Sequence, residues 1–178
     1  MYHRKRGMCA LYILRRKCYY SMTDKALTIE DKVHEMLDGD LNEMALKFIN
    51  YLHANQLTPQ QWFGPNFWRV PYGKKYLCGI ALKKDSWRFW FWKGDYIGKH
   101  EDDFIKIVHD HVCPCVACGG ECKGIDTTVF CKEFFNTCFQ FPIQFNNPNN
   151  DILEHVKKMI EYWKEVTPPT DAWHARQD

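Results

Sequence analysis

The stretch NFWRVPYGKKYLCGIALKKDSWRFWFWKGDYIGKH, residues 66–100, alternates apolar and polar side chains over several short runs. A period of two is typical of β-strands that bury one face, because successive side chains point to opposite sides of a sheet. Gly73, the KKDS segment and Gly94 separate the runs, and such residues commonly form turns. The stretch therefore predicts an antiparallel meander of three strands.

The last strand of this meander carries large side chains on both faces. Rings on both faces indicate either that both are covered by other parts of the chain or that one lines a cavity. Core packing is the simpler interpretation, and a ligand pocket is the alternative. The alternation puts three rings on one face of this strand: Trp87, Phe89 and Phe91. The opposite face carries Arg88, Trp90 and Trp92. The candidate pocket residues are Trp68, Tyr72, Trp87, Phe89, Trp90 and Trp92.

Two helical patterns precede the meander. Thr28 is the expected N-terminal cap of the first helix, and Gly39 is expected to end it. Asp40 and Glu43 form the expected capping pair of the second helix, whose apolar residues recur at helical spacing. Thr58 begins TPQQWF, a segment that predicts a short helical turn with proline at its first position.

Two further helical patterns follow the meander, at residues 101–112 and 146–166. Between them, TTVFCKEF and CFQFPIQF are predicted to be extended, and Pro142 favours an edge position for the second because proline cannot donate a backbone hydrogen bond. The helices flank the strands in sequence instead of alternating with them one by one. This order predicts an α+β fold, an antiparallel sheet packed by N- and C-terminal helices.

Length and charge limit the classes of protein that the chain can represent. Its 178 residues are 46% hydrophobic and 16% aromatic, which predicts one globular domain with a sizeable core. Six of the 24 Lys and Arg residues lie in residues 1–21, which contain no acid. The rest of the chain therefore has 18 basic and 22 acidic residues. A mildly acidic body argues against a nucleic-acid partner, because such a partner requires a basic face.

The basic head, residues 1–21, does not have the pattern of a signal peptide, because Arg15 and the basic residues after it interrupt its apolar run. We interpret it as a disordered extension before a single domain at residues 22–166, with a flexible tail at residues 167–178. A transit peptide is the alternative for the head. No segment approaches the ~18 apolar residues of a membrane span. These features predict a cytoplasmic protein without a membrane partner.

The segment HDHVCPCVACGGECKG, residues 109–124, concentrates four of the nine cysteines. An odd number of cysteines without an export signal argues against a disulfide framework. Cys115 and Cys118 are three residues apart and are followed by two glycines, which is the form of a metal-binding knuckle. Cys122 is the expected third ligand. The spacing leaves the fourth ligand open among Cys138, Cys131, Cys113 and His111.

The metal and its role also have alternatives. Structural zinc is favoured, since closed four-thiolate sites stabilise small loop-rich regions. An iron–sulfur cluster, redox chemistry by Cys115 and Cys118, and inert thiols are the alternatives. Glu101, Asp102 and Asp103 could bind iron, although acids at a helix start more commonly interact with the helix dipole. No catalytic set of residues is visible.

The two histidines of the segment are two residues apart, so a continuing helix would point them to different faces. We expect His109 to be a solvated surface residue. For His111 we favour a hydrogen-bonded core residue over a metal ligand.

The segment RVPYGKKYLCGIALKKDSWRFWFW, residues 69–92, resembles the YdhG-like group of small α+β domains, and the likeness extends over residues 41–112. Some members of that group are discussed as frataxin-like iron chaperones, so the resemblance implies iron handling as an alternative function. The cysteine segment departs from the YdhG-like pattern. It resembles uncharacterised bacterial proteins that carry Cys-x-x-Cys-Gly-Gly-x-Cys, a phenylalanine-rich stretch and another cysteine. This second resemblance favours Cys138 as the fourth ligand.

Together these features predict a zinc-stapled cytoplasmic binding module whose aromatic pocket or surface holds a small ligand or a protein partner. An iron-binding protein and a thiol-redox enzyme that uses Cys115 and Cys118 are the alternatives.

Overall fold

The computed structural model describes residues 27–73, 75–91, 102–116, 124–138 and 141–166, and within these ranges the chain forms four helices and seven strands. The helices are α1 (Ile29–Met36), α2 (Gly39–Ala54), α3 (Asp102–Asp110) and α4 (Asn150–Val166). The strands are β1 (Gln60–Gln61), β2 (Phe67–Tyr72), β3 (Lys75–Lys83), β4 (Ser86–Phe91), β5 (Ile125–Val129), β6 (Lys132–Thr137) and β7 (Ile143–Asn146).

Five of the strands form one antiparallel sheet in the order β1-β2-β3-β4-β7, and β5 pairs with β6 in a separate hairpin. The predicted α+β class is confirmed. The three-stranded meander is also confirmed, as β2, β3 and β4 pair in sequence order. β7 is the last strand of the larger sheet, in agreement with the edge position that Pro142 predicts.

One face of the larger sheet forms the hydrophobic core. Trp68, Ile80, Phe89 and Phe145 are paired in one row across β2, β3, β4 and β7, and all four are buried. Phe48 of α2 stacks on Phe89 with ring centroids 4.9 Å apart. Burial of such rings contributes about 1.5–3 kcal/mol each, so this row is a major source of stability.

The alternation predicted for β4 is confirmed within the described residues. Trp87, Phe89 and Phe91 are buried on the helix-covered face, and Arg88 and Trp90 alternate with them. Trp92 lies outside the described residues.

Several helix boundaries differ from the predictions. Thr28 caps α1 as expected, in a capping box with Asp31. Gly39 does not end α1, which already ends at Met36; it is instead the first residue of α2. Asp38 precedes α2 as its N-cap without a side-chain hydrogen bond, so the capping role predicted for Asp40 is wrong. The helical turn predicted at Thr58 is wrong as well, because the next residues form β1, which pairs with β2.

The hairpin of β5 and β6 replaces the single extended segment that was predicted. Its turn consists of Phe130 and Cys131, both with positive φ (44° and 63°). Neither is a residue that favours this conformation. Phe130 is only 5% exposed and packs edge-on against Phe104 of α3, so tertiary packing stabilises the turn. No helix in the described part of the chain is long and apolar enough to cross a membrane.

Candidate metal and thiol site

The predicted metal ligands are only partly within the described structure. Cys118 and Cys122 lie outside the described residues, whereas Cys113, Cys115 and Cys138 lie inside them. Among the residues that the structure describes, no group of three or more His, Cys, Asp and Glu side chains could hold a metal ion. The cysteine-rich metal site therefore stays a prediction, and the structure bears on it through the backbone that positions these cysteines.

Asn136 of β6 holds both ends of the segment that carries Cys118 and Cys122. On one side, the Cys115 amide donates to the Asn136 carbonyl at 2.7 Å, and the Asn136 side-chain amide donates to the Cys115 carbonyl at 3.5 Å. On the other side, Gly124 lies so close that a Cβ on it would be 2.8 Å from the Asn136 backbone. Asn136 itself has a φ of 53°. Residues 115 and 124 are thus held at one point of β6.

Cys138 follows Asn136 by two residues and lies opposite Cys113. The Cys138 amide donates to the Cys113 carbonyl at 2.9 Å, and Pro114 and Thr137 form the adjacent bridge. Residues directly opposite in an antiparallel ladder have Cβ atoms about 4.5–5.5 Å apart. Cys138 is buried, with 8% of its surface exposed, and Cys113 and Cys115 are half-buried. One short ladder therefore places the backbones of three of the predicted cysteines on neighbouring segments, although their side chains do not form a group that could hold a metal ion.

Cys113 joins this ladder to the five-stranded sheet. Its own amide donates to the Pro142 carbonyl at 2.8 Å, while its carbonyl accepts from Cys138 on the other side. The Cys113 sulfur accepts a hydrogen bond from the Gln144 side-chain amide at 3.1 Å, and Arg88 donates to the oxygen of the same amide at 3.3 Å. Cys113 is thus tied to β7 through its sulfur and to Pro142, just before this strand, through its backbone.

Cys131 is placed away from these cysteines. It lies exposed in the turn of the β5–β6 hairpin, and β6 runs from that turn to Cys138. Six or seven residues of strand span roughly 20 Å at about 3.3 Å per residue. The structure therefore does not bring Cys131 to Cys138.

The histidines beside the site both bind backbone carbonyls. The His111 Nδ1 lies 2.7 Å from the Ile107 oxygen, and its ring stacks on Phe145 at 4.4 Å, so the expected hydrogen-bonded residue is found. The His109 Nε2 lies 2.8 Å from the Val129 oxygen. The prediction of a solvated His109 is wrong, because the unforeseen hairpin packs against α3.

The acidic residues proposed for iron are separated from the thiol ladder. Asp102 and Asp103 are exposed in the first turn of α3, and Glu101 lies outside the described residues. Two acids at a helix N-terminus are accounted for by the positive end of the helix dipole.

Most of the candidate pocket rings belong to the core. Trp68, Trp87, Phe89 and Trp90 are all buried, and the hydroxyl of half-buried Tyr72 donates to the Lys164 carbonyl at 3.4 Å. Trp92 lies outside the described residues, and a pocket lined by these rings stays a prediction. The exposed large rings in the described residues are Trp62, Phe63, Tyr76 and Phe135. The short helical turn predicted for TPQQWF gave no indication that Trp62 and Phe63 lie exposed beside β2.

Comparisons with known proteins add no guide to function. No family model, curated protein or solved structure matches the chain. The resemblance of the meander to YdhG-like domains and of the cysteine segment to bacterial Cys-x-x-Cys-Gly-Gly-x-Cys proteins stays a prediction. The chemistry of the chain's own residues is the basis for its function.

Proposed function

We propose that the protein is a zinc-stapled binding module, in which Cys115, Cys118, Cys122 and Cys138 hold one structural Zn²⁺. The observation that supports this proposal is the ladder between residues 113–115 and 136–138, which sets Cys138 beside the start of the knuckle. Residues 136–138, which lie more than ten positions beyond the cysteine segment 109–124, thereby return to it.

The geometry of the ladder is compatible with zinc–thiolate chemistry. Each sulfur of a tetrahedral site lies about 2.3 Å from the ion, so neighbouring sulfurs are about 3.8 Å apart. Cys115 and Cys138 are diagonal neighbours in this ladder, because Cys115 lies opposite Asn136. Diagonal neighbours are about 7–8 Å apart, so the two sulfurs reach such a separation when both side chains point towards each other. A zinc ion here would fix the segment between residues 115 and 124 to the end of β6.

The structure supports Cys138 over Cys131 as the fourth ligand. The two lie at opposite ends of β6, and Cys138 alone is held next to the 113–115 strand. Cys113 is the nearest alternative, because it is hydrogen-bonded to Cys138 through the backbone. His111 is less suited, since its ring is engaged with Ile107 and Phe145.

The binding surface of the module is formed by exposed rings around β1 and β2. Trp62 packs edge-on against Phe63 at 4.6 Å, and Phe63 stacks on Phe67 at 4.6 Å. The Arg69 guanidinium lies 4.3 Å from the ring centre of Tyr76 on the neighbouring strand. Exposed rings in contact with one another are typical of surfaces that hold a small ligand or a protein partner.

Elemental analysis of protein purified without added metal tests the zinc site. We expect about one zinc per chain and no visible colour, loss of zinc in Cys138→Ser, and full zinc in the matched variant Cys131→Ser. Iron with visible absorbance would replace the proposal with the iron-handling alternative. Protein without metal that reduces insulin, with activity lost in Cys115→Ser, would replace it with the thiol-redox alternative. Zinc loss in Cys113→Ser but not in Cys138→Ser would show that Cys113, and not Cys138, is the fourth ligand.

A further inference from the structure

We propose that Cys113 and Cys138 form a reversible disulfide when the protein meets a mild oxidant such as hydrogen peroxide. Both sulfurs are thiols in the structure. The hydrogen bond of 2.9 Å between the Cys138 amide and the Cys113 carbonyl sets the two residues directly opposite each other. A residue pair that exchanges both backbone hydrogen bonds has α-carbons about 5.5 Å apart. Cys113 and Cys138 make one of these two bonds, because the Cys113 amide donates to Pro142 instead, and a separation near this value lies within the range of about 4.4–6.8 Å that a disulfide requires.

The backbone and the sulfur of Cys113 are both held by hydrogen bonds. Its backbone is anchored on both sides, by the Pro142 carbonyl at 2.8 Å and by the Cys138 amide. Gln144 donates to its sulfur at 3.1 Å, and Arg88 fixes the orientation of Gln144. A pair of thiols on an anchored backbone loses little conformational freedom when it is cross-linked, which favours the bond.

Exposure assigns the order of the two steps. Cys113 is half-buried and Cys138 is buried, so the peroxide reaches Cys113 first. The Cys113 sulfur attacks one peroxide oxygen, the O–O bond breaks, and the products are a sulfenic acid on Cys113 and water. The Cys138 sulfur then attacks the sulfur of that sulfenic acid, forms the S–S bond and releases the hydroxyl oxygen as a second water. Two thiols lose two electrons and two protons in total, and the peroxide takes up both.

No other pair of described cysteines offers the same geometry. Cys131 lies in the hairpin turn at the far end of β6, and Cys78 is buried within β3 in the core of the larger sheet. Cys115 lies opposite Asn136, not opposite a cysteine. The backbone thus selects Cys113 as the partner of Cys138 among these residues.

This disulfide has a regulatory consequence that rests on the proposed zinc site. A Cys138 sulfur bound to Cys113 cannot also serve as a thiolate ligand, because metal binding requires the ionised sulfur. Oxidation would therefore remove one ligand and release zinc, and reduction would restore the site.

The experiment uses the full chain and hydrogen peroxide. The reduced protein is first analysed for zinc, then oxidised, alkylated at its remaining thiols, digested and mapped by mass spectrometry. We expect the Cys113 and Cys138 peptides to become linked, the link to disappear on treatment with dithiothreitol, and zinc release to follow its formation. Cys113→Ser should abolish the linked peptide, and the control Cys131→Ser should leave its yield unchanged.

The two proposals fail in different ways. A Cys113–Cys138 link in a protein that holds no zinc when reduced supports the disulfide and overturns the zinc site. Zinc in the reduced protein, with both cysteines still alkylated after oxidation or linked to other cysteines, overturns the disulfide alone. The wild-type map decides this point even if Cys113→Ser does not fold.

Discussion

Replacement of Gly79 by alanine should destabilise the protein, although alanine normally stabilises a strand. Gly79 lies in β3 directly opposite Trp90 of β4. A Cβ on Gly79 would collide with three atoms of the Trp90 indole, Cζ2, Cε2 and Nε1, and even Nε1, the farthest, would be only 2.9 Å away. Ordinary contacts between such atoms are about 3.5–4.0 Å.

Two opposing terms decide the sign of the effect. The backbone of Gly79 lies outside the left-handed region, so alanine adds no backbone strain and by itself would stabilise the strand by about 0.5–1 kcal/mol. The clash acts in the other direction. Trp90 is 1% exposed, and Phe141 packs edge-on against it at 4.8 Å, so the indole has little room to move. Overpacking of this kind costs about 1–3 kcal/mol, and a net loss of about 1–2 kcal/mol follows.

Urea unfolding of a double-mutant cycle measures the clash. In Trp90→Leu, which removes the indole, Gly79→Ala should be neutral or stabilising, so the coupling between the two changes should be about 1–3 kcal/mol. Ala81→Gly on the same face of β3 is the matched control, and it should lose about 0.5–1 kcal/mol because no clash is relieved. Equal effects of Gly79→Ala with and without the indole would refute the reasoning, as would a more stable Gly79→Ala protein.

Two other predictions concern Gly124 and Cys78. Gly124→Ala should lower the free energy of unfolding by about 1–3 kcal/mol, because the new Cβ would lie 2.8 Å from the Asn136 backbone. Thermal unfolding measures this loss, and the variant should also retain less zinc at the proposed site. Unchanged stability would contradict the close approach. Burial raises the pKa of the Cys78 thiol far above its ordinary value of 9.0. As the pH rises, the thiol therefore loses its proton in the unfolded chain before it does so in the folded protein. The free energy of unfolding should then fall above about pH 9 by up to about 1.4 kcal/mol per pH unit. Cys78→Ala should flatten that slope in urea titrations at several pH values, and an identical slope would show that other groups cause it.

The meander could be predicted from the sequence because its information is local. An alternating pattern, turn residues at both junctions and rings on one face specify three antiparallel strands and the row that contains Phe89. β1 could not be predicted in the same way. Thr58 and Pro59 have the form of a helix start, and the pairing of Gln60 with Arg69 is a tertiary contact.

The β5–β6 hairpin could not be predicted because its turn lacks the residues that favour positive φ. Phe130 and Cys131 adopt this conformation where Asn-Gly would be expected, and the burial of Phe130 against Phe104 offsets the strain. The environment of His109 depends on the same hairpin, since the acceptor for its ring is Val129. Because the hairpin was not predicted, the hydrogen bond of His109 to Val129 was not predicted either.

For the candidate site, the spacing predicts a knuckle at Cys115 and Cys118 but not the contacts of the other cysteines. Cys113 and Cys138 are separated by the whole hairpin, and only the ladder of residues 113–115 with residues 136–138 brings them together. No local pattern reports such a contact. The sequence could therefore offer Cys113 and Cys131 only as equal alternatives to Cys138 for the fourth ligand. The structure places Cys113 beside Cys138 and Cys131 at the far end of β6.

The position of this ladder determines what loss of the proposed zinc should do. Cys113 binds Pro142 on one side and Cys138 on the other, so it joins the hairpin to the larger sheet. The larger sheet has its own pairs, such as Phe89 with Phe145. Val129 and Phe130 of the hairpin belong to the hydrophobic core, whereas the residues of the thiol ladder do not. Chelation of zinc should therefore speed amide hydrogen exchange in residues 113–116 and 132–138 while β2, β3 and β4 stay protected, since regions can open separately when few contacts join them. Hydrogen exchange followed by mass spectrometry, with and without chelator, measures this difference. Uniform loss of protection across β3 and β4 would show that the metal stabilises the whole fold, and unchanged exchange in residues 132–138 would show that no metal is held there.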